Sequence, residues 1–185
     1  MITVGMDEVG RGCWAGPLVA GAVILHYPIK GLKDSKKLTK LQREKLTKQI
    51  YEEAVAVGLG WVNPAEIDEI GLTKAVGLAM KRALAQITIE YDEMIIDGDY
   101  NFFPAEPRAK AIIKADDSVP AVSAASIVAK VARDDYMAEV SAQYPGYAFE
   151  KHVGYGTAAH LAALKLLGVS DMHRLSYKPI QKLLA

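Results

Sequence analysis

The first third of the chain shows two patterns typical of strands and one typical of a helix. Apolar and polar residues alternate over residues 2–7, which predicts a half-buried strand. Residues 16–25, GPLVAGAVIL, are nearly all apolar and predict a central strand, and residues 54–62 predict a third strand. Thr39 suits the N-cap of a helix over residues 39–54. The short links between the three strands indicate an antiparallel start with one inserted helix.

Helical patterns dominate the middle of the chain, interrupted by two short strands. Residues 63–70, NPAEIDEI, have the cap, the proline and the glutamate of a capping box, and a helical period follows over residues 72–88. Residues 94–97, MIID, predict a short buried strand that ends in an acid. Residues 109–116, AKAIIKAD, repeat that shape, and residues 120–143 predict one long helix.

The last part of the chain predicts a helical end to one domain. A helix is expected from the cap at Thr157 to Gly168, followed by a mixed, basic tail. The order of elements predicts an α/β fold with a mixed central sheet covered by helices on both faces. The length suits a single domain over residues 1–185, with a helical C-terminal part over roughly 145–185.

Composition and charge narrow the class of protein. Apolar residues make up 51% and charged residues 24%, as in a globular protein, and neither a membrane span nor a signal peptide is visible, so we expect a cytoplasmic protein without membrane contact. Cys13 is the single cysteine, which excludes an internal disulfide. The net charge is zero, but residues 30–48 hold eight basic against two acidic side chains, a local excess of +6. A solvated helix face explains this excess unless an anionic partner is indicated elsewhere.

Carboxylates follow three of the predicted strands: Asp7 with Glu8, then Asp97, then Asp116. One acid after a strand is ordinary turn chemistry, but side chains beyond neighbouring strand ends of an α/β sheet gather at one place. Four carboxylates in a small volume need protons or a cation. Because no histidine or cysteine stands among the four, the cation expected is Mg²⁺ or Mn²⁺.

Such a site predicts phosphodiester hydrolysis. Two ions about 4 Å apart activate a water and stabilise the leaving oxygen, and the basic segment 30–48 then has a partner in a nucleic acid backbone. One geometric tension remains, because adjacent strand residues point to opposite faces, so Asp7 and Glu8 share a site only if the strand twists or ends there. The following segment 10–12, GRG, fits either a loop pressed on substrate or a plain glycine-rich turn.

Six blocks in a fixed order resemble the signature blocks of ribonuclease HII, the type 2 ribonuclease H. They cover nearly the whole chain and are DEVGRG near the N-terminus, KDSKKL (33–38), IIDGD (95–99), KADDSVPAVSAASIVAKVARD (114–134), YPGYAFEKHVGYGT (144–157) and MHRLSYKPI (172–180). The resemblance implies a ribonuclease H-like fold with a helical C-terminal part. It implies a monomer that uses two Mg²⁺ or Mn²⁺ ions to cut the RNA strand of RNA–DNA hybrids. It also implies cutting 5′ of ribonucleotides embedded in duplex DNA, which leaves 3′-hydroxyl and 5′-phosphate ends.

The resemblance also implies roles for individual residues. The catalytic, metal-binding acids fall on Asp7, Glu8, Asp97 and Asp116, the last chosen over Asp117 by aligning KADDSVP with the family's usual K-G-D block. The loop that senses the ribose 2′-hydroxyl falls on Gly10, Arg11 and Gly12. The block near the nucleic acid backbone falls on Asp34, Ser35, Lys36 and Lys37. Tyr155 matches the tyrosine that stacks on the deoxyribose after the ribonucleotide.

Some positions depart from the family pattern, and some polar residues have a structural explanation that involves no substrate. Cys13 and Trp14 stand where proline is common, and a cysteine so near the metals is a candidate for oxidation. Asp117 is either a bystander or a fifth acid, and the ending IQKLLA lacks the paired aromatics of a clamp-binding tail. On the long helix, the polar side chains are interpreted as bonded to their own backbone (Ser123, Ser126) or solvated (Lys130, Arg133).

Two other functions stay open on the residues alone. A transposase, integrase or junction resolvase also uses clustered acids and metal, but cuts DNA without a 2′-hydroxyl. A silent binder of hybrid duplexes is the second alternative. The four acids speak against it, because a mere binder gains nothing from negative charge beside phosphates.

Overall fold

A computed structural model describes residues 1–33 and 35–185. Five strands form one mixed sheet in the order β3-β2-β1-β4-β5 within this described part. β2 is antiparallel to both β1 and β3, whereas β4 is parallel to both β1 and β5. The strands are β1 (Thr3–Val9), β2 (Leu18–Leu25), β3 (Ala54–Val62), β4 (Glu93–Asp97) and β5 (Ala109–Ile112). The predicted mixed sheet is confirmed, including its antiparallel start.

Helices lie on both faces of the sheet and form the C-terminal end. Those within the described ranges are α1 (Lys40–Glu53), α2 (Pro64–Ile70), α3 (Leu72–Leu84), α4 (Ala115–Ser118), α5 (Pro120–Ser141), α6 (Phe149–His152), α7 (Ala158–Leu167) and α8 (Lys178–Leu184). All three predicted N-caps are confirmed. Thr39 and Asn63 each form a capping box with the residue three positions later, and the side chain of Thr157 accepts from the amide of His160. None of the helices in the described ranges has the length and hydrophobicity that crossing a bilayer requires.

Side chains on the two faces of the sheet belong to separate hydrophobic cores. Val4 and Met6 of β1 belong to a core with α3, whereas Ile95 of β4 packs on the α5 side against Val122. Gly5 faces α5 so closely that a Cβ would lie 2.2 Å from the backbone of Ala121. A side chain at this position would therefore push α5 off the sheet. The glycine keeps α5 against the part of β1 that leads into the acids.

The C-terminal part folds back onto the start of the chain. α6, α7 and α8 share a core with the end of α5, and Ala15 is a buried member of this core. A single β-bridge pairs Ala15 with His173, and the amide of Gly16 donates to the carbonyl of Met172 at 2.8 Å. Residues that are distant in sequence thus enclose the segment that follows β1.

Three details of the sequence prediction are wrong or incomplete. The fifth strand ends at Ile112, so Asp116 does not end a strand but lies on the helical turn α4. Asp7 and Glu8 do not end β1, which continues to Val9. The helices α6 and α8 were not predicted, because each is short and the pattern of the tail is mixed.

Candidate active site

Three carboxylates from three elements meet at one edge of the sheet. Because β1 and β4 are parallel and Met6 pairs with Ile96, Asp7 lies beside Asp97, and both share the face that looks toward α5. Asp116 arrives from α4, where its amide donates to Oδ1 of Asp97 at 3.4 Å. One carboxylate oxygen of each of the three residues lies within 4.8 Å of the other two. The convergence expected from the strand ends holds for these three acids.

Burial makes the charge of this cluster costly. Asp7 and Asp116 are 7% and 8% exposed. Burial, followed by the neighbouring charge of Glu8, raises the pKa of Asp7 well above its usual range, although a hydrogen bond with Ser126 opposes the shift. The cluster therefore favours a proton or a cation at neutral pH. Only oxygen ligands are available in it, so the residues fit a hard divalent ion such as Mg²⁺ or Mn²⁺.

Glu8 lies outside the three-carboxylate group, as the alternation of β1 requires. Its carboxylate accepts a hydrogen bond from Nη1 of Arg11 at 3.0 Å. Burial raises the pKa of Glu8, and the hydrogen bond and charge of Arg11 oppose that shift. Glu8 still lines the same cavity as Asp7 and Asp97, so its place in a metal shell stays a prediction.

The three residues of the GRG loop form one wall of this cavity. Gly10 has a φ of +92°, and a Cβ there would lie 2.5 Å from Nε of Arg133. Among the described residues, and its own chain neighbours aside, Gly12 has no atom within 4 Å of the position of a Cβ, and it does not adopt a positive φ. The two glycines therefore differ: the fold itself requires Gly10, whereas the space beside Gly12 is open.

Two residues of the block at 34–37, Ser35 and Lys36, also line the cavity. Asp34 lies outside the described residues. Ser35 is buried and accepts a hydrogen bond from Ser126 at 3.0 Å, and Lys36 lines the cavity. Lys37 is paired with Asp117 at 2.5 Å. Asp117 is therefore the ionic partner of Lys37, and it is outside the group of three acids.

Tyr155 stands at the exposed rim of the cavity. Its side chain is 39% exposed, and Nζ of Lys130 lies 5.8 Å from the centre of its ring. The chain turns sharply before it, because Val153 adopts a φ of +45°, which is strained for a β-branched residue. Cys13 is fully buried nearby, and burial raises the pKa of its thiol, so the structure does not support the expected oxidation.

Helix α5 supplies cavity residues that the sequence interpretation missed. Ser126 and Lys130 line the cavity, and Ser123 donates to the carbonyl of Asp116 at 2.5 Å in addition to its own helix. Arg133 is not solvated but fully buried, and it donates to the carbonyls of Ala15, Pro17 and Val153. The sequence contained a signal for this shared surface, since Ser123, Ser126, Lys130 and Arg133 recur at helical spacing on one face of α5.

A chain of neutral histidines lies behind Tyr155. Nδ1 of His160 lies 2.9 Å from the carbonyl of Tyr155, so that nitrogen carries the proton and Nε2 must accept. Nδ1 of His173 accepts from the amide of Ser170, so its Nε2 donates to Nε2 of His160 at 3.1 Å. Neither ring can gain a proton without breaking this chain. Burial lowers the pKa of His160, and burial together with His160 lowers the pKa of His173 to about 4.

The lowered pKa of His173 predicts loss of stability in acid. The unfolded residue binds a proton near pH 6.5, whereas the folded one resists until about pH 4, so the unfolded state binds more protons between these values. The contribution of His173 to the free energy of unfolding is therefore fully present above pH 6.5 and is lost as the pH falls toward 4. With His173 1% exposed, the expected loss between pH 7 and pH 4.5 is about 2.4 kcal/mol. Urea unfolding at pH 7 and pH 4.5 measures it.

Two variants separate His173 from other titrating groups. His173→Gln should flatten the fall in unfolding free energy between pH 7 and pH 4.5, because it removes the proton site. His26→Gln changes an exposed histidine and should leave the fall as in the wild type. The raised pKa values of Asp7 and Glu8 act in the opposite direction but cancel in this comparison. Equal pH dependence in all three proteins contradicts the assignment.

Known proteins are similar to this chain in sequence and in fold. A family model described as ribonuclease HII matches residues 4–180. A ribonuclease HII of Polynucleobacter necessarius is 50% identical over 187 residues, covering 97% of this chain and 94% of that protein. The crystal structure of ribonuclease H2 from Pyrococcus horikoshii has a TM-score of 0.82 at 28% identity, covering 99% of this chain and 97% of the other. A Bst-RNase HIII solved in complex with Mn²⁺ shares the fold, with a TM-score of 0.75 at 22% identity, covering 100% and 69%.

Proposed function

The chain belongs to the ribonuclease HII family and is a ribonuclease H that acts on RNA–DNA hybrids, and we propose that it also cuts duplex DNA on the 5′ side of an embedded ribonucleotide. The cut would leave a 3′-hydroxyl and a 5′-phosphate. The observation that carries the proposal is the meeting of Asp7, Asp97 and Asp116 at one edge of the sheet. Asp7 and Asp97 line a cavity that is also lined by the GRG loop.

We assign the three acids to the binding of divalent metal, with Glu8 completing the set. When bound, Mg²⁺ or Mn²⁺ would activate a water and neutralise the leaving oxygen, and two ions are the arrangement expected for phosphodiester hydrolysis. The protein's own part is to hold its carboxylates rigidly. Asp7 is fixed by β1 and Ser126, and Asp97 by the end of β4 and the amide of Asp116. The raised pKa of Asp7 supports this role, because a buried carboxylate cluster is relieved by a cation.

The remaining cavity residues would select and hold the substrate. We propose that the Gly10–Gly12 loop meets the ribose, since the 2′-hydroxyl is the group that distinguishes RNA from DNA and the space beside Gly12 is open. Lys36, which lines the same cavity, would contact a phosphate. Tyr155, exposed at the rim, would stack on the sugar after the ribonucleotide.

The chain would work in the cytoplasm as one unit. Ala15, next to the GRG loop, shares a core with the C-terminal helices, so residues 1–185 would act as a single catalytic domain. Its single cysteine is free and buried, which suits a reducing compartment.

An end-labelled duplex that contains one ribonucleotide tests the proposal. With Mg²⁺ or Mn²⁺ we expect one cut, 5′ of the ribonucleotide, and no cut once EDTA removes the ion. A matched all-DNA duplex should stay intact, whereas its cleavage would favour a metal-dependent DNA nuclease of the same fold. Binding without any cut would favour a silent binder. A cut at another position, or one that survives EDTA, contradicts the proposed reaction.

A further inference from the structure

The carbonyl of Arg11, in the middle of the GRG loop, is held by two donors from the C-terminal segment. Nη1 of Arg174 donates to it at 3.1 Å, and the hydroxyl of Tyr177 donates to it at 2.5 Å. The same Nη1 also donates to the hydroxyl of Tyr177 at 2.8 Å, so the two donors brace each other. More than 160 residues of sequence separate them from the loop. A loop that is expected to meet substrate is thus fixed from a distant part of the chain.

Arg174 is itself held rigidly. It is fully buried, and its Nε and Nη2 both donate to the carbonyl of Gly16, at 3.0 and 2.9 Å. Its backbone amide donates to the carbonyl of Trp14 at 2.8 Å. No carboxylate within the described residues pairs with it, so its guanidinium serves backbone carbonyls on both sides of Cys13. A donor fixed in this way can define the orientation of its acceptor.

Holding the carbonyl of Arg11 also orients the amide of Gly12. The two groups belong to one planar trans peptide, in which the C=O and N–H point in opposite directions. The carbonyl is directed at Arg174 and Tyr177, so the N–H of Gly12 is directed away from them, and Gly12 is among the residues that line the cavity. In the described part of the chain this amide donates no hydrogen bond.

We propose that Arg174 and Tyr177 are positioning residues, which lock the Arg11–Gly12 peptide so that the amide of Gly12 is presented to the ribose of the substrate. The inference rests on the proposed function for the identity of that ribose. Neither residue touches the substrate. They act by removing the freedom of one peptide plane to rotate, and so keep a donor aimed before the substrate arrives. The C-terminal segment thereby contributes to recognition as well as to folding.

Tyr177→Phe tests this role with the loss of one oxygen atom. Arg174 keeps its other contacts, and the ring of residue 177 keeps its packing, so the fold should be retained. We expect kcat on a duplex with one ribonucleotide to fall about 10-fold, with KM changed less than 2-fold, because misplacing a reacting group affects the chemical step more than binding. In the substrate-free protein, the backbone order parameter of Gly12 should fall from about 0.85 to below 0.6.

Tyr147→Phe is the matched control. It removes a tyrosine hydroxyl from the same C-terminal part, one that donates to the carbonyl of Gly168 at 2.8 Å. It should leave kcat and the order parameter of Gly12 as in the wild type, although it too loses one hydrogen bond. Equal kcat in the two variants, or a lower kcat for Tyr177→Phe with Gly12 as rigid as before, overturns the proposal. Failure of the wild-type protein to cut at the ribonucleotide would refute the proposed function instead, and the order parameters would still test the positioning.

Discussion

Replacing Asp97 by asparagine is expected to lower cleavage of a ribonucleotide-containing duplex by about 1,000-fold or more, which corresponds to about 4 kcal/mol of transition-state stabilisation. Asp97 is the acid that joins the other two, because it lies beside Asp7 across the β1–β4 pair and accepts the amide of Asp116. Asparagine keeps the shape and one acceptor oxygen but loses the charge that a divalent ion requires. The kcat in Mg²⁺ and the melting temperature are the measurements.

The fold should survive this substitution. Three carboxylates within 4.8 Å of one another repel, so removal of one charge should leave the melting temperature unchanged or raise it. Asp99→Asn, two residues further along, is the matched control, because Asp99 is exposed and does not line the cavity. It should cleave as the wild type does. Near wild-type turnover of the Asp97 variant would remove Asp97 from the metal site, and with it the argument for the three acids.

The elements of the fold could be predicted because their signals are local. The alternation of apolar and polar residues predicted β1, and the apolar run predicted β2. The capping residues Thr39 and Asn63 predicted the starts of α1 and α2. The meeting of Asp7 with Asp97 was also predictable, since side chains gather beyond the ends of neighbouring parallel strands. The predictions of strands and helices need only the chain within a few residues of each position, whereas the meeting of Asp7 with Asp97 was conditional on β1 and β4 being neighbours.

The rest of the site depends on contacts between distant segments. Asp116 was expected at a strand end but lies on a helical turn, which begins after Lys114 in the left-handed conformation, a feature that its residue type does not signal. Arg133 was expected in solvent, and only the fold shows the three carbonyls that replace its water. The pairing of Lys37 with Asp117 likewise joins residues 80 apart.

The two glycines of the GRG loop looked equivalent in sequence, yet the structure separates them. The φ of Gly10 is +92°, and Arg133 occupies the place of its Cβ. Gly12 has ordinary backbone geometry and open space around it. The fold therefore accounts for Gly10. For Gly12 we propose that the reason is a ligand from outside the chain.

Gly12→Ala should therefore lose activity without losing stability. Apart from its chain neighbours, the added methyl group meets no atom of the part of the chain that the structure describes within 4 Å. It also reduces the freedom of the unfolded chain, so the unfolding free energy should stay the same or rise by about 0.4–1 kcal/mol. The methyl would instead occupy the space in which we place the ribose. A substrate displaced by about 1 Å loses on the order of 100-fold in rate, which is the expected fall in kcat/KM.

Gly10→Ala is the matched variant, and its main effect should be a loss of stability. Its methyl would lie 2.5 Å from Nε of Arg133 on a backbone that alanine rarely adopts, at a cost of about 1–3 kcal/mol in unfolding free energy. Urea unfolding and kcat/KM on the single-ribonucleotide duplex should be measured on both variants. A Gly12 variant that is unstable, or stable and fully active, would mean that the open space beside the loop is not where the substrate binds. A stable, inactive Gly12 variant beside a destabilised Gly10 variant would place the ribose against Gly12.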